Sequence, residues 1–252
     1  MQKKMMFFLC KVIAITVLAI PSVVWGQTAP TTAEGFVNRG LEYAKQGDWD
    51  RAITDFNQAI KLNSNYAAAY ILRGRSYSAK GDSDRAIADF SQAIKLSPDY
   101  GQAYELRGYE YMQKKDYDRG IVDCTKAIEL DPKNEYAYAN RGAMYYYKDD
   151  IDRAIADFTQ AIKINSNFAK AYQDRGDAYI EKDDYDRAIA DFTQVIRLDS
   201  NNADAYFSRG LAYAQKGDPD RAIADWEAVL RINPNDASAK RNIERAKQQR
   251  GR

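Results

Sequence analysis

The dipeptide Arg-Gly recurs six times at a constant interval of 34 residues: Arg39-Gly40, Arg73-Gly74, Arg107-Gly108, Arg141-Gly142, Arg175-Gly176 and Arg209-Gly210. Asp-Arg keeps the same step, from Asp50-Arg51 through Asp84-Arg85, Asp118-Arg119, Asp152-Arg153 and Asp186-Arg187 to Asp220-Arg221. A fixed period of this length over most of a chain is what stacked helical hairpins produce. Each hairpin buries its apolar face only against its neighbours, so the chain builds one elongated core, and a domain count from length does not apply.

Starting the unit at Ala33 gives six units: 33–66, 67–100, 101–134, 135–168, 169–202 and 203–236. In the first, Phe36, Gly40 and Tyr43 stand at i, i+4 and i+7, one face of a helix. Ala52, Ile53, Phe56, Ala59 and Ile60 form a second apolar stripe beyond Gly47-Asp48. Glycine tolerates the left-handed geometry that ends a helix, and aspartate caps the next one by accepting backbone N–H bonds. Asp48, Asp82, Asp116, Asp150, Asp184 and Asp218 hold that cap position. Each unit reads as helix A, a short turn, then helix B.

These positions resemble the tetratricopeptide repeat (TPR) pattern W-x2-L-G-x2-Y, then A-x3-F, then P. Helix A opens on Phe36, Tyr70, Tyr104, Tyr138, Tyr172 and Tyr206, and the Gly and later Tyr are present in every unit. Helix B carries Ala52, Ala86, Gly120, Ala154, Ala188 and Ala222, followed by Phe56, Phe90, Phe158, Phe192 and Trp226, with Cys124 as the exception. The closing proline appears only as Pro98, Pro132 and Pro234, and the pattern's Leu is Arg throughout. The resemblance covers 33–236 and implies an all-α, right-handed superhelical solenoid of six hairpins. Residues 237–252 read as a capping helix and tail, with Ala239, Ile243 and Ala246 on one face.

The start of the chain differs in kind. Lys3 and Lys4 precede an apolar stretch from Met5 to Trp25 broken by Lys11, and Val24-Trp25-Gly26 supplies a cleavage context. Residues 1–26 read as a secretory signal peptide cut near Gly26–Gln27, with 27–32 as a short linker. The alternative is an uncleaved anchor, since the stretch is about long enough to span a bilayer; Lys11 and Pro21 count against it. The expected compartment is the bacterial periplasm or outside, with inner-membrane anchoring second. Removing 1–26, which holds three lysines and no acid, takes the net charge from +1 to −2. That is too near neutral to point to nucleic acid or a membrane surface.

No histidine is present. Ser-His-Asp, Cys-His and His-based zinc sites are thereby excluded, and no phosphate-binding glycine motif occurs. No enzyme activity, catalytic group, cofactor or metal is expected. Each unit carries Asp55, Asp89, Asp123, Asp157, Asp191 or Asp225, so the six Arg-Gly arginines are read as pairing within the hairpin rather than gripping an acidic ligand. Asp50 and its equivalents sit in the first turn of helix B, where the helix dipole favours an acid. Cys124 is read as a buried, inert thiol that leaves unit 3 loosely packed.

By the family resemblance, ligand contacts come from positions 2, 5, 6, 9, 12 and 13 of helix A, which line a concave groove. There the units diverge. The candidate peptide-binding residues are Glu105, Tyr109, Met112, Tyr136, Asn140, Tyr147, Lys170 and Asp174, with Tyr146 weaker because it can turn between helices. Tyrosines give large contact area at low entropy cost, and Asn140 is placed to bond an extended backbone. The family's carboxylate clamp needs Lys at position 5 and Asn at 6 and 9; Val37 and Ala139 stand where Lys is required, so that activity is not carried over. The expected function is a non-catalytic, monomeric scaffold holding an extended peptide or partner protein. A self-assembling structural module and a glycan-binding envelope accessory are the alternatives.

Overall fold

The computed structural model describes residues 30–250, so the signal or anchor segment lies outside the described residues. Thirteen α-helices run through the described part as six antiparallel hairpins and a final helix. The A and B helices of the first three are α1 (Ala33–Lys45) with α2 (Trp49–Leu62), α3 (Ala67–Ala79) with α4 (Ser83–Leu96), and α5 (Gly101–Gln113) with α6 (Tyr117–Leu130). The other three are α7 (Glu135–Tyr147) with α8 (Ile151–Ile164), α9 (Ala169–Glu181) with α10 (Tyr185–Leu198), and α11 (Ala203–Gln215) with α12 (Pro219–Ile232). Helix α13 (Ala237–Arg250) packs on α12 through Ala239, Ile243 and Ala246.

Every A–B turn closes the same way. In the first, the Asp48 N–H donates to the Tyr43 carbonyl at 2.9 Å and the Gly47 N–H to that of Ala44 at 3.0 Å, which satisfies the last carbonyls of α1. The turn needs one left-handed residue. Glycine supplies it at Gly47, Gly81 and Gly217; in the three middle units it is Lys115, Asp149 and Asp183, at φ of 61°, 66° and 57°. The side chain of the following aspartate then caps helix B, Asp48 accepting from the Arg51 N–H at 3.1 Å. The Arg51 guanidinium bonds the same Asp48 and lies 4.5 Å from the centre of the Tyr43 ring. This Asp–Arg–Tyr cluster recurs in all six units and accounts for the invariant tyrosine.

The Arg-Gly pair serves two purposes. A Cβ on Gly40 would come within 2.6 Å of the Phe56 ring, so glycine lets helices A and B meet with the ring between them. The arginine forms a two-pronged bond with the buried aspartate of helix B: Arg141 Nε and Nη2 donate to Asp157 Oδ2 and Oδ1 at 2.8 and 2.9 Å. Its third arm reaches back to helix B of the preceding hairpin, Arg141 Nη1 donating to Thr125 Oγ1 at 3.0 Å. Asn57, Ser91, Thr159 and Thr193 receive the equivalent bond from Arg73, Arg107, Arg175 and Arg209. The repeated arginine thus joins units as well as closing each one.

A second ladder joins them at the surface. Lys80, Lys114, Lys148, Lys182 and Lys216 each pair with the acid at the start of the preceding helix B: Asp50, Asp84, Asp118, Asp152 and Asp186. The Asp-Arg dipeptide is therefore split. Its arginine turns to the cap aspartate of its own unit, and its aspartate turns to the next unit.

Unit 3 departs from the pattern at Gly120 and Cys124, and both are filled around. The Met144 side chain of α7, fully buried, occupies the place where a Cβ on Gly120 would sit, and a Cβ on Gly108 would lie 2.7 Å from Cys124 Sγ. The expected looseness is relieved by the neighbouring unit, because later units set Ala154 against Ala178 and Ala188 against Ala212 instead. Met144→Ala is expected to cost about 2–4 kcal/mol and Gly120→Ala about 1–3 kcal/mol. The double variant, which restores the Ala–Ala pair, should cost less than the sum of the two single costs. Additive urea midpoints would show that the two residues do not share one space.

Candidate functional site

Neighbouring A helices touch one another all along the array, α1 on α3, α3 on α5, α5 on α7, α7 on α9 and α9 on α11. No two B helices make a comparable contact among the described residues. The stack therefore closes toward the A side, and the A helices form the inner, concave face. The sequence positions that diverge between units lie on these helices.

Several tyrosines are carried on α5 and α7. Tyr136, at the start of α7, is 44% exposed and meets the Phe168 ring edge-on at 5.3 Å. Tyr147, at the other end of α7, is 38% exposed and stacks on Tyr117 at 5.1 Å with an 8° angle between planes. Tyr146 is buried and donates its hydroxyl to Glu181 Oε1 of α9 at 3.2 Å, which ties two hairpins together. Tyr109 is partly buried on α5. Met112 packs against the core around Ala143 and Tyr146.

Asn140 Nδ2 donates to Glu105 Oε1 at 2.9 Å, linking α7 to α5. Burial pushes the Glu105 carboxyl up to about 7; Arg75 and the Asn140 bond act the other way, and the Glu135 charge adds to the rise.

A charged row runs along α9, where Lys170, Asp174, Asp177 and Glu181 follow one helical face. Lys170 pairs with the buried Asp174. Asp177, at position 9 of unit 5, has its carboxyl raised to about 7. Burial is the main cause and the Asp174 charge adds to it, while Lys170 and Gln173 hold it back. Gln173 Nε2 lies 3.5 Å from Asp177 Oδ1 and 3.4 Å from Ser208 Oγ of α11. Its Oε1 is buried and accepts no hydrogen bond.

The sequence-predicted residues are carried on three A helices. Glu105, Tyr109, Met112, Tyr136, Asn140 and Tyr147 lie on α5 and α7, and Lys170 and Asp174 on α9. Among the described residues, no helix is long and apolar enough to cross a membrane.

Stacked hairpins of this length, with this turn and this core glycine, define a repeat-built interaction fold, and the chain belongs to the tetratricopeptide repeat family. The family model described as TPR repeat matches residues 40–81 and 176–217, and models described as tetratricopeptide repeat match 71–135, 135–168, 158–190 and 203–236. No curated protein sequence matches the chain. Among solved structures, the Cut9–Hcn1 hetero-tetramer of the APC/C contains a similar chain, with a TM-score of 0.74 and 23% identity over 85% of this chain. This chain spans only 43% of that one. YrrB, described as a TPR protein with an unusual peptide-binding site, matches 74% of this chain and 96% of its own, with a TM-score of 0.62 and 24% identity. MamA matches 68% and 94%, with a TM-score of 0.60 and 28% identity.

Proposed function

We propose that the concave face of α5, α7, α9 and α11 holds an extended segment of a partner protein, and that the protein is a binding scaffold rather than an enzyme. The observation that carries this reading is Tyr136. The aromatic residues of the repeat pattern close the hairpins, but Tyr136, on an A helix, stands outside that pattern and keeps 44% of its surface exposed. A large side chain with two torsions and a polar tip is well suited to anchoring a peptide. Asn140, one helical turn after Tyr136, is held by its bond to Glu105 of α5. The compartment in this reading lies outside the cytoplasm, after removal of 1–26.

Tyr136→Ala is expected to weaken capture of the partner from a cell extract roughly tenfold, the loss of about 1.4 kcal/mol, while helicity and melting temperature stay unchanged. Equal capture by the folded variant would move the site off this face.

A further inference from the structure

The inner face near α9 has more acceptors than donors. Lys170 is already paired with Asp174, and the Tyr146 hydroxyl already donates to Glu181. What remains toward Asp177 is the Gln173 amide at 3.5 Å, a long bond, and the same amide leaves Oε1 buried with no donor. Turning that amide over would set its oxygen against the Asp177 carboxylate whenever that group is ionised. Buried polar atoms left unpaired are costly, so this corner of the groove lacks donors.

We propose that the partner segment is cationic, and that a lysine or arginine side chain enters between α7, α9 and α11 to donate to Asp177 and to Gln173 Oε1. This rests on the groove reading above and names the chemistry of its ligand. An ammonium or guanidinium group supplies donors and no acceptor. The charge also fits. From α9, Asp174, Asp177 and Glu181 face the corner against Lys170 alone, and from α11 Asp204 adds a further negative charge. From α7, the buried Tyr146 hydroxyl faces the same carboxylates.

The corner is also proton-coupled. Asp177 titrates near 7 in the folded chain, so its contribution to stability is present below its ordinary value and is lost as pH rises through about 7. A cation needs the deprotonated form, so binding strengthens over the same range.

The test is fluorescence anisotropy on the purified full chain. The probe is a fluorescein-labelled peptide of alternating lysine and serine, compared with its glutamate counterpart. The lysine peptide should bind, the glutamate peptide should not, and affinity should rise roughly tenfold from about pH 6 to about pH 8. Asp177→Asn should bind roughly tenfold more weakly at the upper pH and lose the pH dependence. Its melting temperature there should be no lower than that of the unsubstituted protein, because an amide replaces a desolvated carboxylate. Glu129→Gln, which removes an acid from the exposed side of α6, should bind like the unsubstituted protein. Failure of the lysine peptide to bind, equal binding of both peptides, or full affinity in Asp177→Asn would overturn the proposal. A natural partner captured by the unsubstituted protein and lost with Tyr136→Ala, without preference for the lysine peptide, would retain the groove and reject its cationic ligand.

Discussion

Asp157→Ala is expected to destabilise the protein by about 3–5 kcal/mol, measured as a fall in the urea midpoint. Asp157 is buried, and its two oxygens take two of the three bonds that Arg141 makes. Without it the guanidinium keeps only Thr125 and remains a poorly solvated charge between two hairpins. Asp118→Ala makes the informative contrast. It removes a carboxylate from another inter-unit pair, with Lys148, but Asp118 is 81% exposed. Such pairs are worth under about 1 kcal/mol, because water and salt screen both charges. Arg141→Leu placed on top of Asp157→Ala should recover part of the loss, since no orphaned charge remains. Equal costs for Asp157→Ala and Asp118→Ala would show that burial of the arginine pair does not matter.

The second large effect belongs to Gly176. A Cβ there would lie 2.6 Å from Cε1 and 2.9 Å from Cζ of Phe192, a ring with no exposed surface and so no room to retreat. Gly176→Val is expected to cost at least about 3 kcal/mol, combining overpacking with the branched side chain's poorer fit to a helix. Gly217→Ala meets nothing within 4 Å and carries only the strain of a positive φ, about 1 kcal/mol. Thermal melting of the two variants should separate them by several degrees or more. A melting temperature for Gly176→Val near that of Gly217→Ala would mean that the hairpin can open around a larger residue.

The hairpins were legible in the sequence because their signals are local and repeated. The apolar stripes, the Gly-Asp turn and the Asp cap all lie within one unit. The Arg–Asp pairs were legible for a related reason: two residues 16 apart recur in step, and an arginine facing a core needs a carboxylate. The lysine ladder was missed although Lys80, Lys114, Lys148, Lys182 and Lys216 also keep the 34-residue step. Its partners lie in different units, and both look like ordinary surface charges when either unit is read alone. The A helices were legible in the sequence, but the contacts between them were not. The tie of Asn140 to Glu105, the packing of Met112 and the stack of Tyr147 on Tyr117 depend on how far one hairpin is rotated against the next. A single helical period carries no information about that rotation. The burial of Asp177 has the same origin, since it comes from α9 and its neighbours together.

The back-reaching arm of the repeated arginine gives the array a direction. Among the described residues Arg39 has no earlier helix B to bond, and its side chain is 39% exposed against 16–20% for the other five. The opposite end is sealed by α13 on α12. The solenoid should behave like a zipper whose loose tab is α1 and α2, with openings that start there and must break one arginine rung after another to travel further. The tyrosine and carboxylate face of α7, α9 and α11 lies beyond several of those rungs. Fluctuations at the loose end can therefore come and go while the surface proposed to meet a partner keeps its shape.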